Sequence, residues 1–434
     1  GIRDIHCSLV GSEMCIRDRP YCPEPQSNYL PSCWQAGEII RRRCLKNGGS
    51  VGDCDQRATA ARQNHVDVDH IGGWRSVPGT TAKEWLDAGQ ARDVFLPAFN
   101  YRPKRSVQYG LALRNFDDPE NPLAYKWGFV GSSDTHFARP GNGFKQSPRI
   151  GTGDAGMRGA RNSFWDWLLY RRQEEEPADR SRAVLGLEGD LSEQERKMSF
   201  LTAGGVVAVH AEGRSRTSIW DALKRREVYG TSGHRLLLWF DLLNAGDELK
   251  PMGSEVSMEE APRFRVTAIG SFKQLPGCPE YVKQALSKRR LEHLAQDECY
   301  NPSAERYLID RIEVVRIRPQ IVAGESVQGL IEDPWRVFEC AADSAGCTME
   351  FADSDFVAGG RDAIYYVRAV EELSPTINGD NLRAVRDDSG NVTAVNPCWG
   401  DYRISRNDDC HALKGQRAWS SPIFVSNPGG SELP

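Results

Sequence analysis

The sequence contains no apolar run approaching the roughly 20 residues that a bilayer-spanning helix needs, so no helical membrane anchor is expected within it. No C-x-x-C occurs, which argues against a structural zinc ribbon. Charge of one sign is not in excess either. A net charge of −5 with 26% charged residues gives no electrostatic footprint for nucleic acid or an anionic membrane. Histidine is sparse, eight in 434 residues, and no His-x-His is present, so few imidazole ligands are at hand for a metal. What remains is a chain of ordinary globular composition, 39% hydrophobic and long enough for two or three domains.

The first nineteen residues, GIRDIHCSLVGSEMCIRDR, have no apolar h-region after a basic start and neither helical nor strand periodicity. They resemble translated sequencing-adapter read-through of the kind found at the ends of metagenomic gene fragments. The native chain is therefore expected to begin near Pro20, with its natural N-terminus upstream. Setting aside Cys7 and Cys15 leaves ten of the twelve cysteines, which fall into sequence neighbours: 22 with 33, 44 with 54, 278 with 299, 340 with 347 and 398 with 410. An even number of clustered cysteines in loop-rich sequence suggests disulfides and an oxidising compartment, periplasmic or secreted. Adjacent pairing is the simplest connectivity, although spacing alone does not determine it. Reduced, partly buried thiols are the alternative.

The stretch Trp127–Gly141 carries the chemistry. Trp127-Gly128-Phe129-Val130 reads as a short buried strand, and Gly131, Ser132 and Ser133 let the backbone turn at its end. Asp134 and His136 follow two residues apart, an extended spacing that turns both to one side. A carboxylate oxygen and a neutral imidazole nitrogen together suit zinc, manganese or iron. The plainer reading is that Asp134 caps a turn and His136 is a polar loop residue.

Elsewhere the pattern is coarser. A helix is expected around Trp34–Leu45 in an otherwise loop-rich region, its Arg41-Arg42-Arg43 run forming a solvated face. Val66-Asp67-Val68-Asp69-His70 alternates like a strand, with His65 and His70 as surface or structural histidines. Thr80 or Thr81 can cap a helix through Trp85, and Ser106 opens another holding Tyr109 and Leu111. Arg161–Gln173 reads as a helix, followed by an acidic insertion or lid. Gly204–Glu212, a helix burying Ile219, Trp220, Ala222 and Leu223, and Val228–Gly233 together read as a βαβ unit, hence a parallel sheet or barrel. After about Asp247 short alternating runs at 264–268, 312–317, 365–370 and 423–425 suggest a β-sandwich, interrupted by one helix from Cys278 to His293.

Four segments also resemble a known family. GFVGSSDTHFARPGNGFKQ, Gly128–Gln146, is similar to a stretch of the domain of unknown function 3604 family, with Gln146 where an acidic residue is usual. PAFNYRP at 97–103 and the run from Ala211 to Gly233 resemble the same family, as does the closing stretch Gln416–Ile423. The Ser-Asp-x-His element is also similar to the one closing the metal site of PHP-type (polymerase and histidinol phosphatase) hydrolases.

The resemblance implies an α/β fold, the C-terminal part of a PHP-like β/α barrel over residues 20–246, followed by a sandwich-like domain over 247–434. It implies divalent transition-metal ions held by Asp134 and His136. Arg102, Arg139, Lys145 and Arg216 are then candidates to hold an anionic small-molecule substrate, and Glu212 to support the ligands. PHP-type sites also use an early His-x-His, which this sequence lacks, so the chain is expected to be an inactive fragment of a larger enzyme. The expected reaction is metal-dependent hydrolysis, most plausibly of a phosphoester. Hydrolysis of a non-phosphate bond, or a non-catalytic secreted binding protein with a vestigial site, are the alternatives.

Overall fold

The computed structural model describes residues 22, 24–25, 30–67, 73–80, 82–85, 88, 106–132, 176–184, 205–295, 299–327, 329–376, 384–389, 392–395 and 411–429. Its helices are α1 (Ser32–Lys46), α2 (Val51–Asp67), α3 (Ala82–Trp85), α4 (Val107–Ala112), α5 (Arg216–Lys224), α6 (Glu280–Ala285), α7 (Lys288–Ala295) and α8 (Phe356–Gly359). The first strands are β1 (Arg114–Asn115), β2 (Leu123–Ala124), β3 (Val206–Val209), β4 (Val228–Thr231), β5 (Leu237–Leu242), β6 (Lys250–Pro251), β7 (Glu255–Ser257), β8 (Arg263–Ile269) and β9 (Phe272–Pro276). They are followed by β10 (Tyr300–Arg306), β11 (Ile309–Ile317), β12 (Ile331–Glu339), β13 (Cys347–Ala352), β14 (Ala363–Thr376), β15 (Ala384–Arg386), β16 (Val392–Val395), β17 (Ala412–Ser420) and β18 (Ile423–Ser426). The chain divides into two compact units, one of Gly1–Tyr109, Asn162–Glu193 and Asp380–Ile404, the other of Gly110–Arg161, Gln194–Gly379 and Ser405–Pro434.

In the first unit α1 and α2 pack around Ala36, Ile39, Ile40, Ala61, Val77 and Trp85. Apolar residues at helical spacing in α1 create this face, and the Cys22–Cys33 and Cys44–Cys54 disulfides clip the helix at both ends. The arginine run of α1 is not uniformly solvated. Successive helical residues point about 100° apart, and Arg43 turns inward to donate to the Glu84 carboxylate at 2.9 Å and to the Pro78 and Ala178 carbonyls at 2.7 and 2.9 Å. Val66 and Asp67 end α2 instead of starting a strand. His65 is buried there, its Nε2 2.9 Å from the Ser32 hydroxyl.

The second unit is built on antiparallel sheets. An eight-stranded sheet runs β12-β11-β14-β17-β4-β3, with β18 on β14 and β7 on β18, and a four-stranded sheet runs β13-β8-β5-β6. The four alternating runs after Asp247 are strands β8, β11, β14 and β18. The two sheets share one core, in which Phe240, Phe264, Val266 and Phe351 from one pack with Ile312, Val314, Tyr365, Val367 and Ala418 from the other. The Cys340–Cys347 disulfide ties the end of β12 to the start of β13 and so joins the sheets at one edge. Cys278–Cys299 closes the loop carrying α6 and α7, which are two helices where one was expected because Leu286 is extended between them. Four of the five neighbour pairings are thus present, and Cys398 and Cys410 lie outside the described residues.

The expected β/α barrel is not what the chain forms. Among the described residues the sheets are mostly antiparallel and no barrel closes. Parallel neighbours require a crossover, usually a helix, and α5, which lies between the neighbouring strands β3 and β4, does not make one. β3 and β4 pair antiparallel from Val206↔Thr231 to Val209↔Val228, so α5 sits in the loop of a wide hairpin. The ladder continues through His210 N–H to the Glu227 carbonyl at 2.9 Å, and Arg226, at φ 61°, reverses the chain just before β4. A strand-helix-strand pattern reads the same for a crossover and for such a hairpin. Of the helix residues expected to be buried only Ala222 is, and Trp220 is 57% exposed.

Two core tyrosines give this unit an alkaline limit. Burial raises Tyr229 from 10 to about 12, while its hydroxyl donates to the Leu236 carbonyl at 2.8 Å. Burial also raises Tyr365, with the Asp353 carboxylate adding to the effect. Both phenols stay protonated in the fold at pH values where the unfolded chain ionises, so their stabilisation is intact below pH 10 and is lost as pH rises from there. Each unit above pH 10 should cost about 1.4 kcal/mol per tyrosine. Urea midpoints at pH 9, 10 and 11 test this. The fall above pH 10 should be shallower in Tyr229→Phe, and equal slopes would count against it.

Candidate functional site

Among the residues singled out from sequence, Arg102, Asp134, His136, Arg139 and Lys145 lie outside the described residues. Glu212 and Arg216 are described, and both are exposed at the β3–α5 connection. Glu212 acts on Arg225 through its field without an ion pair. Ser215 caps α5, its hydroxyl accepting from the Ser218 N–H at 3.0 Å.

The segment leading into Asp134 is described as far as Ser132. It is not the buried strand expected: residues 127–130 pair with no strand, and Trp127 and Val130 are exposed. The segment is instead laid across the large sheet. The Phe129 N–H donates to the Ser421 hydroxyl at 2.9 Å, and the Phe129 ring meets Tyr366 edge-on at 5.1 Å. Beyond it the chain passes a node of three glycines. A Cβ on Gly131 would fall 2.6 Å from the Val206 carbonyl oxygen and 2.9 Å from that of Thr231. One on Gly230 would fall 2.7 Å from the Gly131 nitrogen, and one on Gly205 2.8 Å from the Ser132 oxygen. Backbone meets backbone at all three, so only residues without a side chain fit. The node fixes where the chain stands two residues before Asp134.

The face crossed by this segment is chemically distinct. Gly230 pairs with Trp419, Trp419 with Arg368 and Arg368 with Glu313, so these positions share one side of the sheet. Arg417, two residues before Trp419, and Arg311, two before Glu313, lie on that side as well. Glu313 is gripped by Arg311 at 2.8 Å and Arg368 at 2.7 Å, and Arg368 also holds Asp333. Burial pushes the Glu313 carboxyl up, but Arg368 and Arg311 outweigh it and leave it below the usual carboxylate range. Arg417 is half-buried and makes no ion pair among the described residues; burial, opposed by the field of Glu313 and reinforced by Arg368 and Arg311, depresses it to about 10. Strand alternation in Gly415–Ser420 carries the signal that sets Arg417 and Trp419 on one face, but the sequence analysis did not use it.

Two histidines serve other ends. His210, half-buried, donates from Nε2 to the Leu238 carbonyl at 2.9 Å between the rings of Tyr229 and Trp239, and so is occupied structurally. His234 is buried with Nδ1 2.5 Å from Glu371, whose other oxygen accepts from the Ser271 N–H at 2.6 Å. Among the described residues no three His, Cys, Asp or Glu side chains gather as metal ligands would. An Asp–His pair has the donor chemistry for a divalent transition metal, and its further ligands would have to come from outside the described residues.

Residues 101–270 match the family described as protein of unknown function (DUF3604). The matched span contains Asp134, His136, Glu212 and Arg216, the glycine node and strands β3 to β8. No curated protein and no solved structure matches the chain.

Proposed function

We propose that this chain is part of a metal-dependent hydrolase acting on an anionic ester, most plausibly a phosphoester. The observation that carries the reading is the glycine node, which holds the backbone ahead of Asp134 and His136 against a sheet face rich in guanidinium groups. Asp134 and His136 would hold the metal. A divalent ion bound there supplies a nucleophile from water at neutral pH and offsets charge developing on substrate oxygens. Arg102, Arg139, Lys145 and Arg216 are the cations proposed to hold the anionic group, and Glu212 to orient its neighbours. The four disulfides suit an oxidising compartment and support a periplasmic or secreted location. Among the described residues no helix is long and apolar enough to cross a membrane.

A second reading, a secreted binding protein, draws on exposed aromatics such as Trp220 and the stacked pair Tyr125–Trp127, whose centroids are 5.0 Å apart. Hydrolysis of p-nitrophenyl phosphate and p-nitrophenyl sulfate with added zinc, manganese or iron, assayed on a gene product that also supplies the His-x-His absent from this chain, separates the readings. Metal-dependent release of nitrophenol, abolished in Asp134→Ala, is the expected result. Turnover of the sulfate alone would replace the phosphoester by another bond. No turnover of either ester, with an ordinary fold by circular dichroism, would favour binding.

A further inference from the structure

Arg417 is the feature of the guanidinium face that the ion-pair pattern leaves over. A half-buried guanidinium presents five N–H donors, and stripping water from them without a replacement acceptor is costly. The nearby carboxylates are already committed. Glu313 serves both Arg311 and Arg368, and Asp333 accepts two hydrogen bonds from Arg368. Among the described residues Arg417 makes no side-chain hydrogen bond or ion pair; its backbone is engaged with Ser232 and pairs with Val370. Strand pairing would allow a carboxylate opposite Arg417, but Val370 stands there on β14. The side chain is half-buried between its strand neighbours. A half-buried guanidinium whose neighbouring carboxylates are already taken by Arg311 and Arg368 keeps donors free for an anion that is not part of the chain.

We propose that Arg417, backed by Arg368 and Arg311, is the binding site for a tetrahedral oxyanion of the phosphate class. Guanidinium forks match two oxygens of such a group at once, which a lone ammonium does not. The position fits a substrate group as well. Arg417 lies on the sheet face over which Val130–Ser132 passes, two residues along β17 from Trp419, which pairs with Gly230 on β4. Identifying the anion as the substrate's own phosphoryl group rests on the hydrolytic reading above, whereas binding of the anion does not.

The test is calorimetric titration of the full chain, freed of metal with EDTA, with inorganic phosphate, and with chloride at equal ionic strength as control. One phosphate per chain is expected, unchanged in Asp134→Ala/His136→Ala and weakened at least about tenfold in Arg417→Gln. Arg417→Lys keeps the charge and loses the fork, and should weaken binding by a smaller factor. It also decides the matter should Arg417→Gln fail to fold, since unchanged affinity in Arg417→Lys would overturn the proposal. So would absence of phosphate binding to the native chain, or equal binding by Arg417→Gln. Phosphate bound without any metal retention would leave the anion site standing while the hydrolytic reading fell. If phosphate also competes with p-nitrophenyl phosphate in the hydrolysis assay, the anion is the substrate's. Binding without competition would overturn that assignment.

Discussion

Replacing Asp353 by alanine should cost about 3–5 kcal/mol of folding stability, the usual result of removing one partner from a buried charged network. Asp353 is 1% exposed and accepts from Arg316 at 2.8 and 2.9 Å and from the Tyr365 hydroxyl at 2.6 Å. Arg316 in turn reaches Glu332 at 2.6 Å and lies over the Trp335 ring at 4.4 Å. Burial pulls the guanidinium down, but Glu332 and Asp353 outweigh it and fix the charge. With Asp353 gone, Glu332, 30% exposed, still answers Arg316, but the inner half of the guanidinium and the Tyr365 hydroxyl lose their acceptor. Urea unfolding measures the loss. Tyr365→Phe removes one neutral partner and should cost about 1 kcal/mol. If Asp353→Ala fell within that smaller range, the network would not be a principal support of the joint between the sheets.

Gly230→Ala should be the second severe change, and its effect should reach the site. Its Cβ would meet the Gly131 nitrogen at 2.7 Å and the Val130 carbonyl carbon at 3.0 Å, both backbone atoms that cannot rotate away. Either β4 or the segment must shift, an overpacking cost of about 1–3 kcal/mol. The segment has fewer bonds and should yield first, displacing the chain ahead of Asp134. Loss of metal retention out of proportion to loss of stability is therefore expected. Gly52→Ala is the control, because nothing lies within 4 Å of its Cβ and α2 is helical there. It should be neutral or slightly stabilising. Metal retention unchanged in Gly230→Ala would mean that the node does not position the site.

How much of this could be read in advance depended on the range of the interaction. Alternation in 264–268, 312–317, 365–370 and 423–425 marked strands because one face of each is buried in the shared core, and that period is local. Cysteine neighbours paired because short loops bring them together. The helix α2 escaped notice because its Ala, Gln and Asn residues form no strong apolar stripe, and packing on α1 holds it in place. The hairpin around α5 was mistaken for a crossover because strand direction is decided by partners far along the chain. The ion pair of Arg316 with Asp353 spans 37 residues, and the hydrogen bond between His234 and Glu371 spans 137. Neither leaves a local trace. The Asp-x-His pair that the sequence singles out lies outside the described residues, and of the small residues before it the structure describes Gly131 and Ser132. The role of Gly131 was read as turning, whereas the structure shows close approach to β3 and β4.

The central claim is that this chain holds a metal through Asp134 and His136. Elemental analysis of the purified chain beginning at Pro20, beside its Asp134→Ala/His136→Ala variant, tests it most directly. About one tightly held zinc, manganese or iron per chain, absent from the variant, is the result expected of an Asp–His site with further protein ligands. Metal-free protein that takes up none of these ions on dialysis, or metal retained equally by the variant, would contradict it.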